Sequence, residues 1–294
     1  MNVFIGLIAA MLSLGTPLII AAAGETVSER SGILNIGLEG MLLASAFAGF
    51  ATASETGSPW LGFLAAIAVG IAIALVSAEL ILKRQADQVV VGTGVNLLAL
   101  GVTGVAFVSM FGKTGQLVSV ATIPTFGGKL SIDFVMLVTP LVVVAAWWLL
   151  YRTRWGLAVR ACGEAPHAAE AAGHNPLRLR MQAMLFGGAT AGIAGAYLTL
   201  AQTGSFAENM TEGRGFVVIA AVTFGRWTAK GSALACLLIA FAYGLKYAIN
   251  AMRLPVAPQL FDALPYLLAL AVLCGAGRGA SAPASLALPY KPRT

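Results

Sequence analysis

The stretch Glu29-Arg30-Ser31-Gly32-Ile33-Leu34-Asn35-Ile36-Gly37-Leu38-Glu39-Gly40 runs directly into an apolar segment. It places Asn35 and Glu39 at or inside the mouth of a membrane helix. On insertion scales a charged residue at mid-helix costs about 2.5–3.5 kcal/mol, so an ionisable side chain inside a span is functional by default. Gly32, Gly37 and Gly40 let backbones approach closely and interrupt the helix locally. Asn35 and Glu39 stand four residues apart, which on a helix is one face. No cation lies between them, and Arg30 is the nearest. Two readings fit the pair: a polar cluster that pins a broken helix, or the lining of a permeation path.

The rest of the chain supports a membrane setting. Of 294 residues, 59% are hydrophobic and 10% charged, with a mean hydropathy of +0.86. A soluble domain carries about 25% charged residues. No soluble fold could cover this much apolar surface, so the solvent is lipid. Apolar runs near residues 3–23, 36–53, 60–82, 89–111, 133–151, 182–202, 214–225, 232–250 and 263–277 predict an all-α integral membrane protein. It is a polytopic bundle of about nine spans (range about 8–10), each of about 20 residues. The runs at 214–225 and 263–277 are short, as in broken or tilted helices. The chain reads as a single transmembrane domain over 1–294.

Residues 1–23 carry no basic n-region, which argues for a retained first span over a cleaved signal peptide. Thirteen of the eighteen basic residues fall on one side of the predicted spans, at Arg30, Lys83–Arg84, five arginines between 152 and 180, Arg226, Lys230, Arg278, Lys291 and Arg293. The positive-inside rule makes that side cytoplasmic, with the N-terminus outside and the C-terminus inside. Residues 152–181 then form a cytoplasmic loop and 278–294 a cytoplasmic tail. The net charge of +6 is spread over these loops and forms no nucleic-acid patch.

Enzyme chemistry finds no foothold. Gly112-Lys113-Thr114 resembles the end of a phosphate-binding loop, but that loop needs Gly where Phe107 stands, and a preceding strand. His167 and His174 lack the further ligands of a metal site. Cys162, Cys236 and Cys274 are too scattered for a disulfide framework. Neither a Gly-x-Ser-x-Gly elbow nor a zinc-protease helix motif occurs. The chain is expected to be a non-enzyme without cofactor or metal.

Other polar residues in or beside spans have local explanations. Glu79 and Lys83 form an i,i+4 pair, and Lys246 can snorkel to the interface. Asn96 fits an interhelical hydrogen bond or a path lining. Phe206, Asn209 and Arg214 flank a helix start on the outer side, where two readings fit: a solvated loop, or residues that meet a ligand arriving from outside. On the cytoplasmic side, residues 160–176 are the most distinctive loop. Pro166 suits a helix N-terminus and Gly173 its stop. The short Ala-rich helix between them, with Glu170 exposed, lacks the Trp, Phe or Leu of an interfacial helix and suits docking to a partner protein.

These residues resemble the membrane permease subunits of ATP-binding-cassette importers, in the family serving branched-chain amino acids, ribose-like sugars and nucleosides. The segments 29–32, 35–37 and 39–40 are similar to the nucleoside or "simple sugar" branch. So are Gly213-Arg214-Gly215-Phe216, Gly225-Arg226-Trp227, Leu264-Pro265-Tyr266 and the ending from Pro283 to Tyr290. Ala229 departs from a frequent Pro, and Lys246 from an expected uncharged polar residue. The resemblance implies an inner-membrane permease that conducts a nucleoside, with purine nucleosides foremost, or a related sugar. It implies a second permease, expected as a heterodimer, and two cytoplasmic ATP-binding subunits or one tandem ATPase. A periplasmic or lipid-anchored binding protein would feed it. The expected pathway residues are Asn35, Glu39, Asn96, Phe206, Asn209 and Arg214. The expected ATPase-coupling residues are Arg160, Gly163, Glu164, Pro166, Ala169, Glu170 and Gly173. A stand-alone secondary transporter or channel, with Glu39 and Glu79 as proton carriers, is the alternative.

Overall fold

A computed structural model describes residues 3–112, 118–126, 131–251 and 282–291. The span expected at 263–277, the Leu264-Pro265-Tyr266 step, Lys113-Thr114, Cys274, Arg278 and the side chain of Lys246 lie outside the described residues. The elements run α1 (Val3–Arg30), α2 (Leu38–Thr56), α3 (Pro59–Leu82), α4 (Gln88–Phe111), β1 (Thr125–Phe126), β2 (Ile132–Asp133), α5 (Phe134–Arg152), α6 (Arg154–Glu164), α7 (Pro166–Ala171) and α8 (Pro176–Tyr197). A π-helical turn (Leu198–Thr203), α9 (Arg214–Phe224) and α10 (Ala229–Ala251) follow.

Eight of the expected apolar runs coincide with helices, and five of these helices are long and apolar enough to cross a membrane. Helix α1 extends seven residues past its apolar run, from 23 to Arg30. Its added turns are polar, yet Glu25, Thr26, Ser28 and Glu29 are all buried. Protein surrounds them, and most of their polar atoms find partners inside it, so apolarity alone underestimates the helix.

Helix α8 lies at the centre, against α1, α2 and α3. Its buried face is rich in Gly, Ala and Thr, and packing depends on that smallness because apolar burial gives helices in lipid little driving force. A Cβ on Gly188 would stand 2.5 Å from Ala74 Cβ and from Gly70 O. Helices α3, α4 and α5 turn Leu64, Val76, Leu97, Val105 and Leu141 outward, the composition of a surface solvated by lipid.

The loop after α4 is anchored to the π-helical turn: Val120 N donates to Gly204 O (2.9 Å) and Ile123 N to Leu200 O (2.8 Å). It ends in the antiparallel β1–β2 pair. Asp133 then caps α5 by accepting from Met136 N at 2.8 Å.

Gly188→Leu is expected to lower the thermal midpoint of the detergent-solubilised protein by several degrees or to abolish its accumulation, because overpacking a tight contact costs about 1–3 kcal/mol or more. Gly104→Ala, whose Cβ meets nothing within 4 Å, should leave the midpoint unchanged in the same fluorescence-detected melt.

Candidate functional site

The quoted stretch folds as an interruption between α1 and α2. Residues 33–37 are not helical, so Asn35 and Glu39 do not share a helical face as the spacing predicted. The i,i+4 relation fails because α2 begins only at Leu38. The segment turns back beside α1: Asn35 N donates to Glu25 Oε1 (3.1 Å), and Leu34 N donates to Gln88 Oε1 (2.8 Å).

Helix α2 has no capping side chain of its own. Its start is held by α4 instead. Asn96 Oδ1 accepts from Gly40 N (2.8 Å), and its Nδ2 donates to Ile36 O (3.0 Å). Asn96 therefore closes both a donor and an acceptor freed by the interruption.

Glu39 does the same for another helix. Its Oε1 accepts from Gly213 N (2.8 Å) and its Oε2 from Gly215 N (2.6 Å). The carboxylate thus caps α9 from a position 174 residues earlier in the chain. A helix N-terminus carries about half a positive charge and unpaired N–H groups, so an anion there is favourable. Only glycine fits at 215, since a Cβ would stand 2.5 Å from Glu39 N.

The depth of this contact follows from α9. It spans 11 residues, about 16 Å at 1.5 Å per residue and about half of a 30 Å hydrocarbon core. Just past its C-terminal end, Trp227 Nε1 donates to Glu29 Oε2, and Arg30 Nε donates to Trp227 O (2.6 Å). Arg226 and Trp227 both adopt left-handed backbone (φ 55° and 54°), a conformation that non-glycine residues hold only when neighbours fix it. The α9 N-terminus therefore lies beside the start of α2, about half the thickness of a hydrocarbon core from the Arg30–Trp227 contact. Glu25 Oε2 and Glu29 Oε1 are buried without partners among the described residues.

The remaining pathway candidates divide. Phe206 is 2% exposed and packs in an aromatic cluster with Phe47, Phe50 and Phe107. Asn209 is exposed in the loop before α9, with φ of 56°. Arg214 is half-buried; its Nη1 donates to Gln202 Oε1 (3.4 Å), and Gln202 Nε2 donates to Ser13 Oγ (3.4 Å). Sequence reasoning passed over Ser13 and Gln202, which sit inside long apolar runs without a motif. It also passed over Glu25, although an acid four residues before Glu29 at the end of a span was a visible signal.

At the other end of α1 stands the loop helix expected from Pro166 and Gly173. It is present as α7, with Pro166 at its start and Gly173 in left-handed backbone (φ 84°). The face expected to dock is corrected. Ala169 is 2% exposed and points into a small core with Val27, Val159 and Ala183, whereas Ala168, Ala171 and Ala172 are exposed. Arg160 folds back, its Nε donating to Leu150 O (3.1 Å) and its guanidinium over the Tyr151 ring at 4.9 Å. Gly163 lies within α6, and a Cβ there would collide with Arg30 O. Glu164 reaches Arg30 at 3.8 Å, and Glu170 lies 3.8 Å from His167. Burial pushes the Cys162 thiol above its ordinary range, which disfavours the thiolate, and the side chain packs in the same small core.

Two helices whose starts meet inside the bundle, each capped by a side chain from elsewhere, fit the architecture of solute transporters. The family described as the permease component of branched-chain amino acid transport systems matches residues 7–273, and the chain belongs to it. A putative glucose ABC transporter permease of Haloferax volcanii is 33% identical over 91% of this chain and 90% of its own length. A guanosine ABC transporter permease of Bacillus subtilis is 32% identical, covering 97% and 96%. A nucleoside ABC transporter permease of Lactococcus lactis is 32% identical, covering 91% and 90%. The protein is a multi-pass membrane permease component.

Replacing Glu39 separates its charge from its shape. Glu39→Ala leaves Gly213 and Gly215 N–H unpaired and should cost about 1–3 kcal/mol. Glu39→Gln keeps one acceptor and should cost less. Thermal melts of the purified variants check the order Glu39, Gln, Ala; three equal midpoints would remove the capping role.

Proposed function

We propose that this permease conducts a nucleoside, or a related sugar, across a bacterial inner membrane as the pore-forming subunit of an ATP-binding-cassette importer. The observation that carries the reading is the full-length similarity to permeases named for guanosine, nucleosides and glucose. The chain supplies no ATPase site of its own, and ATP is hydrolysed by cytoplasmic partners that dock on the α6–α7 segment. A second, different permease completes the pore. A further guanosine permease of Bacillus subtilis, 29% identical over 82% of this chain, supports pairing of unlike subunits. An extracytoplasmic binding protein delivers cargo.

The N-terminus lies outside and the C-terminus inside. In support, Arg30, Arg226 and the α6–α7 segment gather at one end of α1, and basic residues favour the cytoplasmic face. The path follows the meeting of α2 and α9. Asn35, Glu39 and Asn96 spend their hydrogen bonds on backbone or on Met41 and brace the wall. Phe206 packs behind it and Asn209 borders its outer mouth. Arg214, with Gln202 and Ser13, retains unused donors and faces cargo; a guanidinium suits the carbonyl and hydroxyl oxygens of a nucleoside. A proton-coupled carrier is less well served, since both Glu39 oxygens accept backbone N–H groups and Glu79 pairs with Lys83 at 2.7 Å.

The assembled complex in proteoliposomes should accumulate labelled guanosine or glucose only with ATP and binding protein. The purified chain alone should neither bind nor hydrolyse ATP, and turnover that survives removal of trace ATPase would overturn the reading. Ala168→Arg or Ala171→Arg should reduce co-purification of the ATPase severalfold while the permease still melts as the wild type does. Ala169→Arg should instead destabilise the permease itself, because burying an unpaired charge is costly.

A further inference from the structure

Arg180 lies in the first turns of α8 and is 1% exposed. No carboxylate stands within ion-pair distance of it among the described residues. Its guanidinium is shared among oxygens from segments far apart in sequence. Nε donates to Ser31 O (3.1 Å), Nη2 to Ser285 Oγ (3.0 Å) and Nη1 to Leu288 O (3.1 Å). The ring of Tyr290 lies 5.9 Å from the guanidinium carbon and 5.1 Å from the His167 ring of α7.

The tail makes further contacts in both directions. Ser285 Oγ donates to Gly163 O (2.6 Å) and Ser285 N to the same oxygen (2.9 Å). Ala284 N donates to Glu164 Oε2 (3.2 Å). Ala287 N donates to Gly32 O (3.1 Å). Gly32 has φ of 97°, and a Cβ on it would stand 2.6 Å from Arg180 Nη2 and 2.9 Å from Ser285 Oγ. The end of α6, the turn after α1 and the tail therefore close on one side chain with no room to spare.

We propose that the tail segment 282–290, fixed by Arg180, is a strap that transmits displacement of the α6–α7 segment to the turn after α1. This rests on the permease reading. That turn continues into residues 33–37, whose backbone is held by Glu25 and Gln88 and which lead to the start of α2. A movement of Gly163 displaces Arg30 directly, and it displaces Ser31 and Gly32 through Ser285 and Arg180. The guanidinium suits the task because its planar fork fixes three directions at once, which the single ammonium of lysine cannot reproduce. Arg180 and Ser285 are positioning residues: they touch neither cargo nor ATP.

The test uses the whole complex with partner permease, ATPase and binding protein in proteoliposomes, carrying Ser285→Ala or Arg180→Lys. Import per ATP hydrolysed should fall by between about twofold and thirtyfold, the range that substitutions along a coupling network produce, while ATPase co-purification and hydrolysis stay at wild-type level. Import per ATP unchanged in both assembled variants overturns the strap. If Arg180→Lys fails to accumulate, Ser285→Ala decides: a lowered ratio supports the strap, and a wild-type ratio makes Arg180 a purely structural residue. A wild-type complex that shows no ATP-driven import would remove the permease reading itself, which is a separate outcome from either variant.

Discussion

The carboxylate of Glu39 on the first N–H groups of α9 is the contact on which the membrane interior of this protein depends. Inside a bilayer no water can pair a free backbone group, so a helix that begins at mid-depth is admissible only where protein supplies its cap. Here two helices begin inside the bundle, against one another. Asn96 serves α2 from α4, and Glu39, itself in the first turn of α2, serves α9. Each cap requires the previous one to be in place, since Glu39 is aimed only when Asn96 has fixed the α2 start. The cost of a carboxylate in lipid is offset by two charge-assisted hydrogen bonds and the positive end of a helix dipole.

Much of this was legible, and the reasons for success and failure are physical. Span positions followed from apolar runs of about 20 residues, a length that the bilayer itself imposes. The polar step at 29–40 could be singled out because polar residues are expensive in lipid. The partners of those residues could not be read off. Glu39 bonds to backbone N–H groups that any sequence possesses, so no complementary side chain announces the contact. Helical spacing misplaced Asn35 because the chain is not helical there. The extension of α1 to Arg30 was hidden because Glu25 and Glu29 look like a loop until the surrounding helices bury them. Ala169 was assigned to the outer face of α7 for its size, but smallness serves close packing inward as readily as docking outward. Arg180 had no local signal, since its partners lie 105 and 108 residues away.

The two polar centres share one piece of chain. Residues 31–37 begin at the cluster of Arg30, Arg180 and Ser285 and end at the caps of α2 and α9. The segment is neither helix nor strand, yet the backbone N–H groups of residues 31–35 are assigned to Glu25, Gln88 and neighbouring carbonyls. Such a segment does not stretch freely. It is short, mostly buried and bonded through its first five residues, so moving it requires several hydrogen bonds to break together.

This constrains how the path can open. Separating α2 from α9 would expose two backbone donors and a carboxylate to lipid at once, a penalty of several kcal/mol. The starts of α2 and α9 are better treated as one moving unit. Helix α8, locked to α3 by Gly70 and Gly188 and to α2 through Gly195, is a poor place for sliding because its contacts leave no slack. The looser joints lie beside the start of α9, where Arg214, Gln202 and Ser13 meet through two bonds of 3.4 Å. Those bonds are long and exchange for bonds to a polar solute more readily than the short ones at Glu39. Rigid contacts around α8 and exchangeable ones at Arg214 are what the proposed path requires: a wall that yields to a solute while the α6–α7 segment keeps its hold on the turn after α1.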